Sequence, residues 1–327
     1  MEESLAVVIG TLNSQYIHSS LAPWCLLAGV RAFGDPGLCA RVVEGTINEP
    51  PERMLERLVA AAPAAVGFCC YIWNITQTLA LLAPLQKRLP GLRIILGGPE
   101  VSYCAAAVLE ACPAVDFVLS GEGERPFALL LNALLRHEPP AGLPGVCLRT
   151  ADGIFCAPPY TPDDTPPSPY GPDYFSALSG RIAYLETSRG CPFSCAFCLS
   201  GRCGGARFFP LERARRELLL LANSGAKTVK LVDRTFNANP ERARAIFRFL
   251  LEQYGSDIPQ GVCFHFEIAG DLLDDETLAL LAAAPPDARY CSYLAGCADT
   301  PQALRLRDGA IEVAWSPDGD GRTAWQG

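Results

Sequence analysis

Cys191-Pro192-Phe193-Ser194-Cys195-Ala196-Phe197-Cys198 puts three thiols in eight residues, spaced C-x3-C-x2-C, with an aromatic just before the last. The run before it, Ile182 to Gly190, reads as a short strand ending in a loop. The thiols therefore sit on a loop at the C-terminal end of a strand, where barrel and open α/β folds place their chemistry. A thiolate is a soft ligand suited to zinc, copper(I) or iron–sulfur clusters. A cubane cluster held by protein alone uses four cysteines. Structural zinc usually takes four ligands. Three thiols this close supply three corners of a cluster and leave one iron open. Two alternatives stand beside that reading. The thiols could be ordinary cysteines in a cysteine-rich chain. They could also join Cys203 in a zinc knot, although a second C-x2-C pair is missing.

Composition narrows the class. The chain has 327 residues and is 50% hydrophobic, which suggests two ordinary domains. No apolar run reaches the roughly 18–20 residues needed to span a bilayer. Met1-Glu2-Glu3-Ser4 is acidic and unlike a signal peptide, so a cytoplasmic protein is expected. Fifteen cysteines without an export signal point to metal or redox use, or to buried thiols, rather than a disulfide framework. A net charge of −8 gives no support for a nucleic-acid footprint. The richest basic patch, Glu212 to Glu217, mixes signs at helical spacing and reads as a solvated helix face.

In the first half, strands and helices alternate. Leu5–Gly10 is a continuous apolar run ending in glycine, the pattern of a buried parallel strand. Strands follow at 40–45, 65–70, 92–96 and 116–121, with helices at about 21–33, 51–61, 75–89, 103–111 and 126–136. Five repeats predict a doubly wound parallel sheet, Rossmann-like in kind and flavodoxin-like in size. Such sheets bind ligands beyond their C-terminal strand ends. The loop after Gly10, Gly97-Gly98-Pro99-Glu100 and Gly121-Glu122-Gly123-Glu124 are the candidate loops, and Gly97, Gly98 and Gly121 would let backbone approach a large planar ligand. The dinucleotide pattern G-x-G-x-x-G is absent, which argues against nicotinamide.

Residues 138–180 are rich in Pro, Gly and Asp and read as an extended linker. A hairpin can interrupt it, with 145–149 and 154–156 as strands about an Asp152-Gly153 turn. The second half reads as β/α repeated three times: the strand before Cys191 and a helix at 211–224; a strand at 228–233 and a helix capped by Asn239 with Pro240 first; a strand at 262–268 and a helix opened by Asp274-Asp275-Glu276. Alternation puts His265 and Glu267 on one strand face. On a largely apolar strand His265 reads as a core residue. After Pro285 the pattern breaks, with only a helix at about Gln302 to Arg307.

Together, the thiol motif and the first-half loops resemble the radical SAM family members that carry a cobalamin-binding domain ahead of their core. The resemblance covers roughly the first 285 residues. It implies a cobalamin-binding-like Rossmann domain at 1–137, the linker at 138–180, a partial (β/α) radical SAM barrel at 181–285 and an atypical tail at 286–327. It implies that Cys191, Cys195 and Cys198 ligate a 4Fe-4S cluster whose open iron takes S-adenosylmethionine. That cofactor would be cleaved to a 5′-deoxyadenosyl radical, with an external electron donor required. Phe197 would pack near the adenine, and Asp233 and Glu267, at two strand ends, would accept from the cofactor's ammonium or ribose hydroxyls. The alternative is that Asp233 caps a turn and Glu267 pairs with a nearby arginine such as Arg234. The function implied is cobalamin-linked radical chemistry, with methyl transfer to an unactivated carbon of a small-molecule or unknown substrate as one form. One departure matters. The D-x-H-x-x-G motif is missing, since His18 is preceded two residues earlier by Tyr16 and followed by Ser19-Ser20, so His18 is not expected to hold cobalt. About three of the family's six β/α units fit, which leads to the expectation of a truncated or frameshifted ending. Two further readings stay open: a radical SAM enzyme without cobalamin, and an inactive truncated iron–sulfur or metal-binding protein.

Overall fold

The computed structural model describes residues 4–195, 198–200 and 204–285, together with the backbone of four further strands within 291–326. The chain divides into two compact units, Met1–Tyr174 and Phe175–Gly327.

The first unit opens with β1 (Leu5–Asn13), α1 (Ala22–Phe33), β2 (Leu38–Thr46), α2 (Pro51–Ala61), β3 (Ala65–Cys69) and α3 (Ile75–Arg88). It continues with β4 (Arg93–Gly97), α4 (Pro99–Ser102), α5 (Ala105–Ala111), β5 (Phe117–Leu119), α6 (Glu124–Leu135), β6 (Val146–Thr150) and β7 (Gly153–Cys156). The sheet order is β2-β1-β3-β4-β5-β6-β7. The first five strands pair in parallel, and the last two are added antiparallel. This is the doubly wound order, with the chain reversing its direction of growth between β1 and β3. All of β3 is buried, as expected for a parallel strand covered on both faces. Val8, Leu58, Val66, Leu81, Leu82 and Ile94 lie within the core cluster on one side of it.

The hairpin at 146–156 is not an interruption in a linker. It extends the sheet, with Val118 opposite Cys147 and Leu119 opposite Val146. Val146, Cys147 and Leu148 are buried by this pairing, and a local reading of the sequence cannot see a partner so far back in the chain.

Asn74 ties the strand ends together at the reversal point. Its amide nitrogen donates to the carbonyls of Leu12 (3.1 Å) and Cys69 (3.0 Å), at the ends of β1 and β3. Its side-chain oxygen accepts from the Tyr71 backbone N–H at 2.8 Å. The residue is completely buried.

α7 (Pro172–Ala177) crosses the unit boundary. The second unit holds β8 (Ala183–Leu185), β9 (Ser188–Cys191), β10 (Gly205–Phe208), α8 (Leu211–Ala222), β11 (Thr228–Leu231), α9 (Pro240–Gln253), β12 (Cys263–Ile268) and α10 (Asp275–Ala282). The remaining strands are β13 (Cys291–Leu294), β14 (Gln302–Arg307), β15 (Ala310–Trp315) and β16 (Ala324–Gln326). β8, β11, β12 and β13 pair in parallel, and β14 to β16 continue the sheet antiparallel. Asn239 caps α9 by accepting from the Arg242 N–H, with Pro240 first in the helix, and Asp274 caps α10 by accepting from the Thr277 N–H. Both caps are those expected from sequence.

The tail differs from expectation. β13 adds a fourth parallel strand, and Gln302–Arg307 is a strand rather than a helix. Its sequence alternates Leu304 and Leu306 with Arg305 and Arg307, a period of two, which suits a strand. No helix among the described residues is long and apolar enough to cross a membrane.

Replacing Asn74 with alanine leaves two buried carbonyls and one buried N–H without this partner. The expected cost is about 2–4 kcal/mol of stability, read by urea unfolding. A loss below about 0.5 kcal/mol would show that the strand ends hold themselves.

Candidate functional site

The thiol loop is the connection of a two-stranded hairpin. β9 and β10 pair antiparallel, with Cys191 opposite Gly205 and Ser188 opposite Phe208. Nothing in Gly205-Ala206-Arg207-Phe208 marks it as a strand from sequence, and the pairing with β9 makes it one. Cys191 closes β9 and is buried, with its sulfur 3.3 Å from the Thr235 hydroxyl. Cys195 and Cys198 are half-buried, and the Cys198 N–H donates to the Cys195 carbonyl at 3.1 Å. Phe197 and Cys203 lie outside the described residues. Among the described residues, no three His, Cys, Asp or Glu side chains are gathered closely enough to hold a metal ion. The fit to an iron–sulfur cluster therefore lies in the donor chemistry: three soft ligands on one hairpin, the first with a hydroxyl against its sulfur.

Asp233 sits just past β11 and is buried. It accepts from the Thr187 N–H (3.2 Å), the Thr187 hydroxyl (2.8 Å) and, by a short bond, the Ser188 hydroxyl. The sequence expectation gave Asp233 to the cofactor. The structure instead turns its carboxylate inward to the base of the thiol hairpin, because three donors from β9 and the residue before it surround it. This is close to the alternative of a local cap, except that the partners lie 45 and 46 residues away. Two residues on, Thr235 meets Cys191, and two residues further, Asn237 bridges to β12's end. Its amide donates to the Ala269 carbonyl and its oxygen accepts from the Ala269 N–H, each at 2.8 Å. All three side chains are buried. Arg242 donates to the Thr187 carbonyl at 3.3 Å and lies over the Phe208 ring. Sequence reasoning missed Thr187, Ser188, Thr235 and Asn237. The available signal was a run of polar residues following a buried strand.

Glu267 is half-exposed on β12 and pairs with Lys230 of β11 at 3.4 Å, not with Arg234. His265 stands opposite Lys230 in the register. Burial, with Lys230 adding to it, lowers His265 to about 4, so it is neutral near pH 7.

In the first unit, the candidate loops follow β1, β4 and β5. Gly98 has φ of +108°, and a Cβ there would lie 2.4 Å from the Cys70 carbonyl oxygen. Gly121 has φ of +90°, and its Cβ would lie 2.2 Å from the Tyr160 carbonyl oxygen. Both glycines are thus demanded by the chain's own backbone packing, a different reason from approach to a ligand. Gly97 lies in β4 and has only the Leu119 side chain and carbonyl near it. The same end of the sheet carries a feature that sequence reasoning passed over. Tyr71 and Trp73 stack with ring centroids 4.5 Å apart and planes 4° from parallel. Trp73, Ile72 between the two rings in sequence, Tyr16 and Ile17 after β1, and Tyr103 after α4 are all exposed. Large apolar side chains are thus exposed on the loops that follow three strand ends. Cys69 and Cys70 nearby are buried thiols pushed well up by desolvation, Cys70 to about 12, and are not available as ligands.

A B12 binding domain model matches residues 8–131, and a Radical SAM superfamily model matches residues 185–312. The two matches place a B12-binding-type domain ahead of a radical SAM-type domain in one chain. The second match runs past residue 285, where the sequence reading ended the core. The relatives are enzymes. The chain is 30% identical over 206 residues to 2-(S-pantetheinyl)-carbapenam-3-carboxylate methyltransferase of Streptantibioticus cattleyicolor, covering 56% of this chain and 30% of that protein. It is 29% identical over 210 residues to the cobalamin-dependent radical SAM methyltransferase TokK of Streptomyces tokunonensis, covering 58% and 30%. Among solved structures, OxsB with aqua-cobalamin and S-adenosylmethionine bound matches with a TM-score of 0.70 at 16% identity, over 86% of this chain and 42% of that one. The chain therefore spans well under half the length of these relatives, and the last likeness is one of fold.

Burial pushes the Asp233 carboxyl up to about 6, against the hydroxyl and amide donors that favour its charged form. A folded value above the ordinary 3.8 means that the folded state binds this proton more tightly than the unfolded chain. The contribution to stability is fully present below about pH 4 and is lost as pH rises through about 6. The expected swing is on the order of 3 kcal/mol. Urea unfolding of wild type and Asp233→Asn across this range should show the variant gaining relative to wild type as pH rises. A difference that stays flat from pH 4 to 7 would mean that Asp233 does not titrate there.

Proposed function

We propose that this chain is a cobalamin-linked radical SAM methyltransferase that acts on an unactivated carbon of a small molecule. The observation that carries the reading is the three-thiol hairpin, joined in one chain to a doubly wound sheet that matches a B12-binding domain. Bound together, a 4Fe-4S cluster, S-adenosylmethionine and cobalamin supply a 5′-deoxyadenosyl radical and a transferable methyl group, with an external donor providing the electron.

The chain's own residues bind and orient these groups. Cys191, Cys195 and Cys198 hold the cluster. With Cys191 bound as a thiolate, the Thr235 hydroxyl would donate to its sulfur, and Asp233, through Thr187 and Ser188, sets where β9 delivers that cysteine. By resemblance, Phe197 would serve the adenine. Glu267 accepts from the cofactor's ammonium or ribose hydroxyls, with Lys230 available to balance its charge when the site is empty. In the first unit, the loops bearing Gly97, Gly98 and Gly121, with the Tyr71–Trp73 stack, would hold the cobalamin. His18 does not ligate cobalt.

Anaerobic reconstitution with iron and sulfide, followed by EPR of the reduced protein, tests the cluster. Wild type should give a cluster signal that changes on adding S-adenosylmethionine, and Cys195→Ala should give none. A signal indifferent to the cofactor would separate cluster binding from the proposed chemistry. No signal in wild type would remove the iron–sulfur assignment.

Cobalamin uptake, followed by absorbance, tests the other half. Trp73→Ala should weaken binding about tenfold, equivalent to ~1.4 kcal/mol. An unchanged affinity would place the corrin elsewhere.

A further inference from the structure

Two cysteines have no role in the sites described above. Cys147 is on β6 and Cys156 on β7, and the antiparallel register sets them directly opposite each other at the outer edge of the first sheet. Directly opposed residues of an antiparallel pair point to the same face, with Cα atoms about 4.5–5.5 Å apart. A disulfide needs Cα atoms about 4.4–6.8 Å apart. No backbone movement is needed to join the two sulfurs. Both are free thiols, and Cys156 lies within hydrogen-bonding reach of Cys147 and raises it.

The two differ in exposure. Cys156 is exposed on the last strand, while Cys147 is buried and touches the Ser120 hydroxyl at 4.0 Å. One thiol is thus open to a reagent in solution, and the other waits directly across the ladder. The exposed Cys39, on β2, lacks this arrangement and stands opposite Ala6.

We propose that Cys147 and Cys156 form a dithiol/disulfide couple, an oxidation site on the edge hairpin that takes a low-molecular-weight disulfide such as oxidised glutathione as its oxidant. The Cys156 thiolate attacks one sulfur of that disulfide, forming a mixed disulfide and releasing one glutathione thiolate. Cys147 then gives up its proton and attacks the Cys156 sulfur, releasing the second glutathione. The protein loses two electrons and two protons, and the oxidant leaves as two thiols. Burial holds the Cys147 thiol up at about 12, which keeps its thiolate scarce and makes the second step the slower one. The product joins β6 to β7 covalently beside Ser120, the residue before Gly121. The inference is independent of the cluster and cobalamin assignments.

The test uses the full chain under native, anaerobic conditions with oxidised glutathione. Aliquots are quenched with iodoacetamide in denaturant, digested with trypsin and read by mass spectrometry. Trypsin cuts after Arg136, Arg149 and Arg181, so the bridge would link peptide 137–149 to peptide 150–181. Glutathione on Cys156 should appear first and decline as the linked pair comes to hold most chains. Dithiothreitol should reverse it. In Cys156→Ser, Cys147 should stay reduced and alkylatable, and in Cys147→Ser, Cys156 should stop at the mixed disulfide, as Cys39 does in wild type. The inference is overturned if Cys156 in wild type also stops at the mixed disulfide. It is equally overturned if Cys147 is found linked to another cysteine, or if both thiols remain alkylatable after Cys39 has reacted. Because wild type alone gives these outcomes, a poorly folding variant does not obscure them.

Discussion

Parallel strands cannot be joined by a tight turn, and each must return over the sheet before the next begins. That constraint places everything of interest in the first unit. The loops that leave β1, β3, β4 and β5 must all emerge at one end, whatever their sequences. Residues as far apart as Tyr16, Trp73 and Tyr103 follow strands that end on the same side of the sheet for that reason, not because of any local motif. Asn74 reinforces the arrangement at the one place where the sheet's growth reverses and helices pass to opposite faces, so no crossover covers the gap between β1 and β3.

The second unit solves a related problem differently. Its first parallel strand is only three residues long, and the chain then leaves the sheet to form the β9–β10 hairpin. A short hairpin has little backbone pairing to fix it in place. The polar side chains after β11 supply what the ladder lacks. A buried carboxylate is costly, and the three donors gathered around Asp233 offset part of that cost. Its raised affinity for a proton is the mark of what remains uncompensated.

Local patterns made much of this legible from sequence. Apolar runs ending in glycine gave the parallel strands, and Asn239-Pro240 and Asp274 marked helix starts, because a cap works through residues three apart. The three thiols announced themselves by spacing. What stayed hidden was held by distant partners. β10 is a strand only because β9 lies beside it, the 146–156 hairpin belongs to the sheet only through β5, and Asp233 finds Thr187 and Ser188 across some forty-five residues. Gln302–Arg307 was misread for a simpler reason: six residues are too few to separate a period of two from a helical turn when both Leu and Arg favour helices.

The spacing of Asp233, Thr235 and Asn237 has a genetic corollary. Phe236 between them is buried as well, against Phe247 and Phe266, and the stretch turns into a short 3-10 helix at Phe236–Ala238, so each position has its own place to fill. A conservative substitution at one of the three would loosen one tie. Inserting or deleting a single codon among them would shift the residues that follow out of the places made for a carboxylate, a hydroxyl, an aromatic ring and an amide. All contacts beyond the lesion would be lost together. Natural variation in this stretch should therefore run to changes of letter and avoid changes of length.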